Sequence, residues 1–336
     1  MSLTSLNQLL HLLADGHFHS GTELGERLQM SRAAVWKQLQ GIEQLGVRVH
    51  RVRGKGYRLP DGLDLLDVEA IVRHEPALAK VFQLELLMST PSTNRLLMQR
   101  QSDVGIHGQA VFAEVQTEGR GRLGRQWQSP FAQQLALSVG WEFAGGVVAL
   151  EGLSLVVGLA VVDALTALGV EGAGLKWPND VLLYGKKLAG VLLELSGDAT
   201  GPCQVVIGIG LNVHLKDCDL IDQPWTSLRQ AGYQVQRNAL AAALLEALAQ
   251  RLKCFAEEGF KSLQQDWMNH HVYQDQAVSL LGLREAQNGI CRGVDAGGAL
   301  LLEIAGEVKS FNGGEVSLRA ITNASQQSAS SMQGDH

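Results

Sequence analysis

The hydrophobic pattern of this chain changes once, near residue 62, and that change most limits what it can fold into. Before it, Leu3, Leu6, Leu10 and Leu13 follow helical spacing up to Gly16. A second short helix fits residues 22–28 with Thr22 as its cap. A third opens at Ser31, turns Val35, Leu39 and Ile42 inward and ends at Gly46. The string "VRVHRVRGKGYRLP" then gives two short strands around Gly54-Lys55-Gly56. From about Leu65, short β-like runs alternate with long apolar helical ones, the pattern of an α/β or α+β body. No one layer satisfies both patterns, so the expectation is a multidomain α+β chain, for which 336 residues suffice.

Charge follows the same division. Residues 1–60 hold eight Lys/Arg against four Asp/Glu, while the whole chain is at −6. A basic head on an acidic body points to a polyanion met by the head alone. Two helices joined by about three residues, the second opening "SRAAVWKQL", make a helix-turn-helix, and the basic hairpin after it makes a wing. Ser31, Arg32, Trp36 and Lys37 near the start of the third helix, with Arg51, Arg53 and Lys55 on the hairpin, are the candidate DNA-binding residues. Trp36 and His50 are equally suited to packing and are assigned no base contact.

The rest of the composition narrows the class. Apolar content of 46 % and charged content of 18 % are those of a globular protein. Cys203, Cys218, Cys254 and Cys291 are scattered without a C-x-x-C pair, which argues against zinc or a disulfide framework and for a reducing, cytoplasmic setting. The N-terminus lacks a signal pattern. The most apolar stretch, 145–170, is broken by Glu151 and Asp163, leaving a run too short to cross a bilayer, so no membrane partner is expected.

Four segments of the body carry chemistry. "STPSTN" (89–94) offers hydroxyls and an amide for a polar head group, although such clusters are also common turns. "QTEGRGRLGR" (116–125) combines glycines that let backbone N–H groups face an anion with arginines for carboxylate and phosphate. Ordering seven such residues costs on the order of 10 kcal/mol, so this loop is expected to be mobile until an anionic ligand offsets that cost. In "LKWPNDVLLYGKKLAGVLLEL" (175–195), a turn at Pro178-Asn179-Asp180 and a returning strand from Lys187 form a hairpin that brings Lys176, Asp180 and Lys187 together. Lysine can hold a carboxylate or phosphoryl group, and aspartate can help hold Mg2+. In "VVIGIGLNV" (205–213), Gly208 and Gly210 share a strand face, either as a bare wall for a flat ligand or as a packing site. Together these parts suit activation of a small carboxylic acid by a nucleoside triphosphate.

"QTEGRGRLGRQW", "KWPNDV", "GKKLAGVLLE" and "GIGLN", in this order and behind a winged head, resemble the bacterial biotin–protein ligases in their bifunctional form, ligase and biotin-operon repressor in one chain. The resemblance implies a winged helix-turn-helix (1–62), a class II synthetase-like α/β catalytic domain (66–272), an SH3-like β-barrel (276–320) and a disordered polar tail (321–336). It implies that biotin and MgATP form biotinyl-5′-AMP, and that a lysine of the biotin carboxyl carrier protein of acetyl-CoA carboxylase then takes the biotinyl group. Biotin contacts would fall on Ser92, Thr93, Asn94, Gln116, Gly119, Arg120, Lys187, Gly190, Gly208 and Gly210. The ATP or adenylate set would be Arg120, Arg122, Arg125, Trp127, Lys176, Asn179, Asn212, Glu315 and Arg319, with Asp180 for Mg2+. Lys187, Arg120 and Arg122 would be catalytic. Phe311 stands where relatives often carry Trp and is given no ligand role.

The Arg-Gly loop is then a ligand clamp rather than a nucleic-acid arm. Folded on biotinyl-AMP, it is also expected to complete a homodimer surface, so that two heads engage two half-sites of the biotin operator. The rivals are a lipoate-type ligase, a ligase whose head is not a repressor, and a pure transcription factor sensing a small ligand.

Overall fold

The structure, a computed structural model, describes residues 3–60, 62–197, 201–218, 221, 223–282, 284–314 and 316–321. Glu315 and the tail beyond 321 lie outside the described residues.

The head is three helices, α1 (Leu3–Leu13), α2 (Gly21–Leu28) and α3 (Arg32–Gln44), followed by the antiparallel pair β1 (His50–Val52) and β2 (Gly56–Arg58). Leu10, Leu13, Leu24, Val35, Leu39 and Ile42 meet in its core. Ser31 caps α3, as its position implies, by accepting the Ala34 N–H. The cap of α2 is Ser20, not Thr22: its Oγ accepts the Glu23 N–H at 3.0 Å. Ser20-Gly-Thr-Glu23 has the spacing of a capping box, which sets the helix start before Thr22. The wing is tied back to the helices by reciprocal backbone bonds between His19 and Tyr57 at 2.9 Å. Gly56 has φ +104°, and a Cβ there would lie 2.0 Å from the His19 carbonyl oxygen, so this crossing requires glycine.

The body contains α4 (Val68–His74), β3 (Gln83–Leu87), α5 (Thr93–Val104), β4 (Gln109–Ala113), β5 (Gln134–Phe143), α6 (Leu153–Ala167), β6 (Ala173–Lys176), β7 (Asp180–Leu183), β8 (Lys186–Gly197), β9 (Cys203–Asn212), α7 (Arg237–Glu258) and α8 (Gln264–Asn269). Its seven strands form one sheet in the order β3-β4-β5-β9-β8-β7-β6, antiparallel except for β3 beside β4. Strand alternation divides the two faces. Val205, Ile207, Ile209 and Leu211 of β9 join the core under α6 and α7, whereas Val206 packs with Leu97 of α5 and Val111 of β4. Gly208 and Gly210 continue the Val206 side. The site therefore opens on the α5 face, beyond the N-terminus of that helix. The apolar 145–170 stretch becomes α6, buried nearly all round as a central core helix is. Leu244, Leu248, Leu252 and Phe255 of α7 are buried against the same core. Among the described residues no helix is long and apolar enough to cross a membrane, and no disulfide joins the cysteines.

The last unit is a five-stranded antiparallel sheet, β10 (Ala277–Leu281), β11 (Gln287–Val294), β12 (Leu300–Ile304), β13 (Glu307–Phe311) and β14 (Ser317–Ala320), in the order β13-β12-β11-β10-β14. The small β domain expected here is present as this partly open five-stranded sheet, whose outer strands, β13 and β14, are not hydrogen-bonded to each other. Its apolar face, with Val278, Leu280, Leu302 and Leu318, merges into the core of the body. The Trp177 indole N–H donates to the Gly298 carbonyl at 3.0 Å across that seam.

Candidate active site

A cavity of about 340 Å3 collects most of the singled-out residues. The hairpin expected in 175–195 is a three-stranded meander: β6 turns at 177–179 into β7, which turns at Tyr184-Gly185 into β8. Lys176 pairs with Asp180 and Asp180 with Gly190, placing all three at one end of the sheet. Between β7 and β8 the register shifts, so that Leu182 faces Lys187 where regular pairing would give Leu188. This bulge buries Leu188 and turns Lys187 onto the Asp180 side. The Lys187 N–H donates to the Pro224 carbonyl and its carbonyl accepts the Thr226 N–H, which fixes its backbone.

Asp180 is the electrostatic hub of the cavity. Its Oδ1 lies 2.6 Å from Lys187 Nζ and its Oδ2 3.4 Å from Lys176 Nζ. Burial alone would raise the Asp180 carboxyl, but the two ammonium groups outweigh it and hold it below the usual carboxylate range. Burial pushes Lys176 below its ordinary value, against the pull of Asp180 and aided by the charge of Arg319. Among the described residues no three His, Cys, Asp or Glu side chains cluster as a metal cage. Asp180 is the one carboxylate among the cavity's described lining residues. That donor set fits a Mg2+ carried in on phosphates, which needs one or two protein carboxylates rather than a full cage.

The Arg-Gly loop lines the cavity from the other side. Arg120 Nη2 reaches both oxygens of Glu194 at 3.0 and 3.2 Å. Arg122 donates to Asn179 Oδ1 at 3.1 Å and to the Gly313 and Gly314 carbonyls, joining loop, meander and C-terminal sheet. Burial pushes its guanidinium below the ordinary value. Arg125 also lines the cavity. The loop thus has a defined path held by two of its three arginines.

Beyond it the Trp127 indole lies against β9, its N–H donating to Gln134 Oε1 at 2.9 Å, with Lys187 Nζ 5.7 Å from the ring centroid. A Cβ on Gly210 would sit 2.4 Å from this indole, and one on Gly208 would sit 2.3 Å from Asn94 Oδ1. Trp127 and Asn94 cover the strand at these glycines, the close packing of the second sequence reading, and both glycines also line the cavity.

Thr93, Asn94 and Gln116 form a polar floor. The Thr93 N–H donates to Gln116 Oε1 at 2.9 Å, the Thr93 and Ser138 hydroxyls share a hydrogen bond at 2.6 Å, and the Ser138 hydroxyl lies 2.5 Å from Asn94 Oδ1. Asn94 Nδ2 donates to Glu194 Oε2 at 2.8 Å. Ser92 caps α5, whose N-terminus favours an anion. Ser138 and Glu194 escaped the sequence reading: Ser138 is a lone hydroxyl in an apolar strand, and Glu194 reads as an alternating surface charge. The only signal was register, since Ser138 faces Gly208 across the ladder.

Three residues stand outside the cavity lining. Asn212 is buried behind Trp127, bonded to Gln134 and the Thr226 carbonyl, and so supports the wall. Gly119 passes under the Trp127 carbonyl, where a Cβ would meet it at 2.5 Å. Arg319 on β14 acts at longer range through its charge on Lys176. On the head, Arg32, Trp36, Lys37, Arg53 and Lys55 are exposed, whereas Arg51 is paired with Glu43 at 2.5 and 2.7 Å, so its charge is partly spent within the head.

A buried histidine supports the Lys176 strand. His271 packs on Trp267 with ring centroids 4.6 Å apart, and its Nδ1 lies 3.1 Å from the Leu175 carbonyl and its Nε2 3.2 Å from Cys291 Sγ. Burial lowers its pKa to about 4, so it is neutral at pH 7. The unfolded chain protonates it near pH 6.5. Its contribution is intact above pH 6.5 and is lost as pH falls from there towards 4, by on the order of 3 kcal/mol. Urea midpoints measured across this window should decline in the wild type and flatten in His271→Gln, which does not titrate.

The fold and cavity define a class. Residues 86–212 match the Biotin/lipoate A/B protein ligase family, 5–58 an HTH domain and 275–319 the biotin protein ligase C-terminal domain. The bifunctional ligase/repressor BirA of Salmonella typhimurium is 43 % identical over 93 % of this chain and 97 % of its own length. A biotin–[acetyl-CoA-carboxylase] ligase of Mycobacterium tuberculosis is 37 % identical over 70 % of this chain and 88 % of its own. The structure of an Aquifex aeolicus biotin protein ligase in complex with biotin and ATP superimposes with a TM-score of 0.61 at 31 % identity, covering 71 % of this chain and 99 % of that one. The chain belongs to the bifunctional ligase/repressor family of biotin protein ligases.

Proposed function

We propose that this chain joins biotin to ATP as biotinyl-5′-AMP, transfers the biotinyl group to a lysine of a biotin carboxyl carrier protein, and represses biotin-synthesis genes through its head. The observation that carries the reading is the charge arrangement of one cavity. Among its described lining residues Lys176, Lys187, Arg120, Arg122 and Arg125 face a single carboxylate, Asp180. Such a surplus suits a carboxylate meeting a polyphosphate.

The biotin carboxylate attacks the α-phosphorus; that P–O bond forms, the bond to the β-phosphate breaks, and pyrophosphate leaves. Lys187 neutralises the carboxylate and follows charge onto the α-phosphate, while Arg122 and Arg125 hold the phosphates. Asp180 would be the protein carboxylate holding Mg2+, which would supply neutralising charge to the phosphates. The acceptor amine then attacks the acyl carbon, the acyl–oxygen bond breaks, AMP leaves and the amine loses its proton. Thr93, Asn94, Gln116 and Ser138 supply the polar floor for biotin. Exchange of labelled pyrophosphate into ATP that needs biotin, and is not supported by lipoate or octanoate, tests this reading. Exchange without biotin, or none at all, would overturn it.

The domain limits are read as 1–62, 66–272 and 276–320, and the setting as cytoplasmic. The adenylate is read as favouring a homodimer by completing the Arg-Gly loop. Support comes from Phe131 and Ala132, shortly after Trp127, which are buried in the core of the head, so loop and head share one segment. Biotinyl-AMP should shift the sedimentation coefficient; an unchanged monomer would remove the coupling. Deleting residues 1–62 would bare Phe131, so point changes test the head better. Neutralising Arg32, Lys37 and Lys55 to Gln is expected to weaken operator binding and to lower its salt slope by about one for each phosphate no longer neutralised, with pyrophosphate exchange intact.

A further inference from the structure

Glu194 is the acidic partner within reach of the loop's first arginine, and its position is set from beneath rather than by the loop. Asn94 Nδ2 donates to it at 2.8 Å; Asn94 is 4 % exposed, held through its Oδ1 by the Ser138 hydroxyl, and closed against the bare Gly208 backbone. The carboxylate is therefore prepositioned by a buried network. Arg120 is the looser member, with a side chain 41 % exposed against 23 % for Glu194. Arg120 also lines the cavity that an incoming carboxylate or phosphate would enter.

We infer that Glu194 is a built-in anion placeholder. It parks Arg120 on the cavity wall, and a ligand anion must take Arg120 from it before the loop closes. Glu194 is a positioning residue acting through Arg120, and the inference rests on the ligase reading for the identity of that anion. The exchange of one carboxylate for another keeps Arg120 paired in both states, so closure changes the direction of the guanidinium rather than desolvating it alone. It also means that the ligand's gain from Arg120 is reduced by what Glu194 gives up.

Glu194→Gln removes the competing charge while leaving an amide oxygen to accept from Asn94. The expected result is tighter binding of AMP and of inorganic pyrophosphate by about fivefold, about 1 kcal/mol at 1.4 kcal/mol per tenfold, the upper range for an exposed ion pair. Trypsin cleavage after Arg120 in the ligand-free protein should rise by about the same factor, because the local opening costs that much less. In an Arg120→Gln background, Glu194→Gln should have no further effect on AMP affinity, which a general disturbance of the fold would not reproduce. AMP affinity and trypsin sensitivity both unchanged, or weaker AMP binding in Glu194→Gln, would overturn the placeholder. The trypsin measurement needs no ligand. It judges the parking of Arg120 even if AMP bound neither protein, an outcome that would count against the ligase reading itself.

Discussion

Lys187→Ala is expected to slow adenylate formation about 10²–10³-fold, the loss typical of removing one fixed donor from developing charge. The structure explains why no neighbour replaces it. Lys176, the next ammonium group, is drawn to the opposite oxygen of Asp180 at 3.4 Å, while Lys187 sits at 2.6 Å from Asp180 and 5.7 Å from the Trp127 ring centroid. Its direction is set by the bulge in β8 and by backbone bonds to Pro224 and Thr226, so no freely rotating side chain nearby can take its place. Arginine is a poor substitute despite its charge. A Cβ on Gly190 would already lie 3.4 Å from Lys187 Cε and Nζ, and a planar guanidinium needs more width than an ammonium group. The loss should fall mainly on the single-turnover rate with saturating biotin and ATP, since the charge it meets is greatest in the transition state. A single-turnover rate within a few-fold of wild type in Lys187→Ala would remove Lys187 from the chemistry.

Much of this site was legible because its chemistry lies in short local strings. Lys176, Asp180 and Lys187 fall within twelve residues, and two tight turns suffice to gather them. The helical head was legible for the same reason, since periodicity and caps are local. Ser138, Glu194, Glu114 and Arg237 were not. Each acts through partners far along the chain, and a single hydroxyl or charge in a strand carries no pattern of its own. The β7–β8 bulge was hidden for a subtler reason: "GKKLAGVLLE" alternates almost equally well in either register, and only the buried Leu188 and the core around it decide. The glycines of β9 show the limit of motif reading. The motif marked a close approach correctly, but two side chains of this same chain, Trp127 and Asn94, make that approach.

Arg237→Leu is expected to lower stability by about 3–5 kcal/mol, the range for breaking a buried ion pair by removing one partner. Arg237 is fully buried and its Nη1 lies 2.7 Å from Glu114 Oε2, itself 2 % exposed. The pair is not isolated. Arg237 Nε donates to the Gln134 carbonyl at 2.9 Å and its Nη1 to the Asp64 carbonyl at 2.8 Å, while Glu114 Oε1 accepts the Leu66 N–H at 2.7 Å. The link from head to body is thus tied to the ends of β4 and β5 and to the start of α7. Among the described residues Arg237 Nη2 is buried with no hydrogen-bond partner, a shortfall that a network tuned only for stability would lack. Its role is better read as fixing where the link leaves the body, beside the Phe131 segment that joins the core of the head. Replacing both Glu114 and Arg237 by Leu should cost less than the two single changes added together, because no lone charge is left inside. It should still fall short of wild type, because the Leu66 N–H and the Gln134 and Asp64 carbonyls lose their partners. Urea midpoints of the body transition, followed by far-ultraviolet circular dichroism in the four proteins of this cycle, measure the coupling. A loss below about 1 kcal/mol in Arg237→Leu would mean that water reaches Glu114 and that the junction is looser than this packing requires.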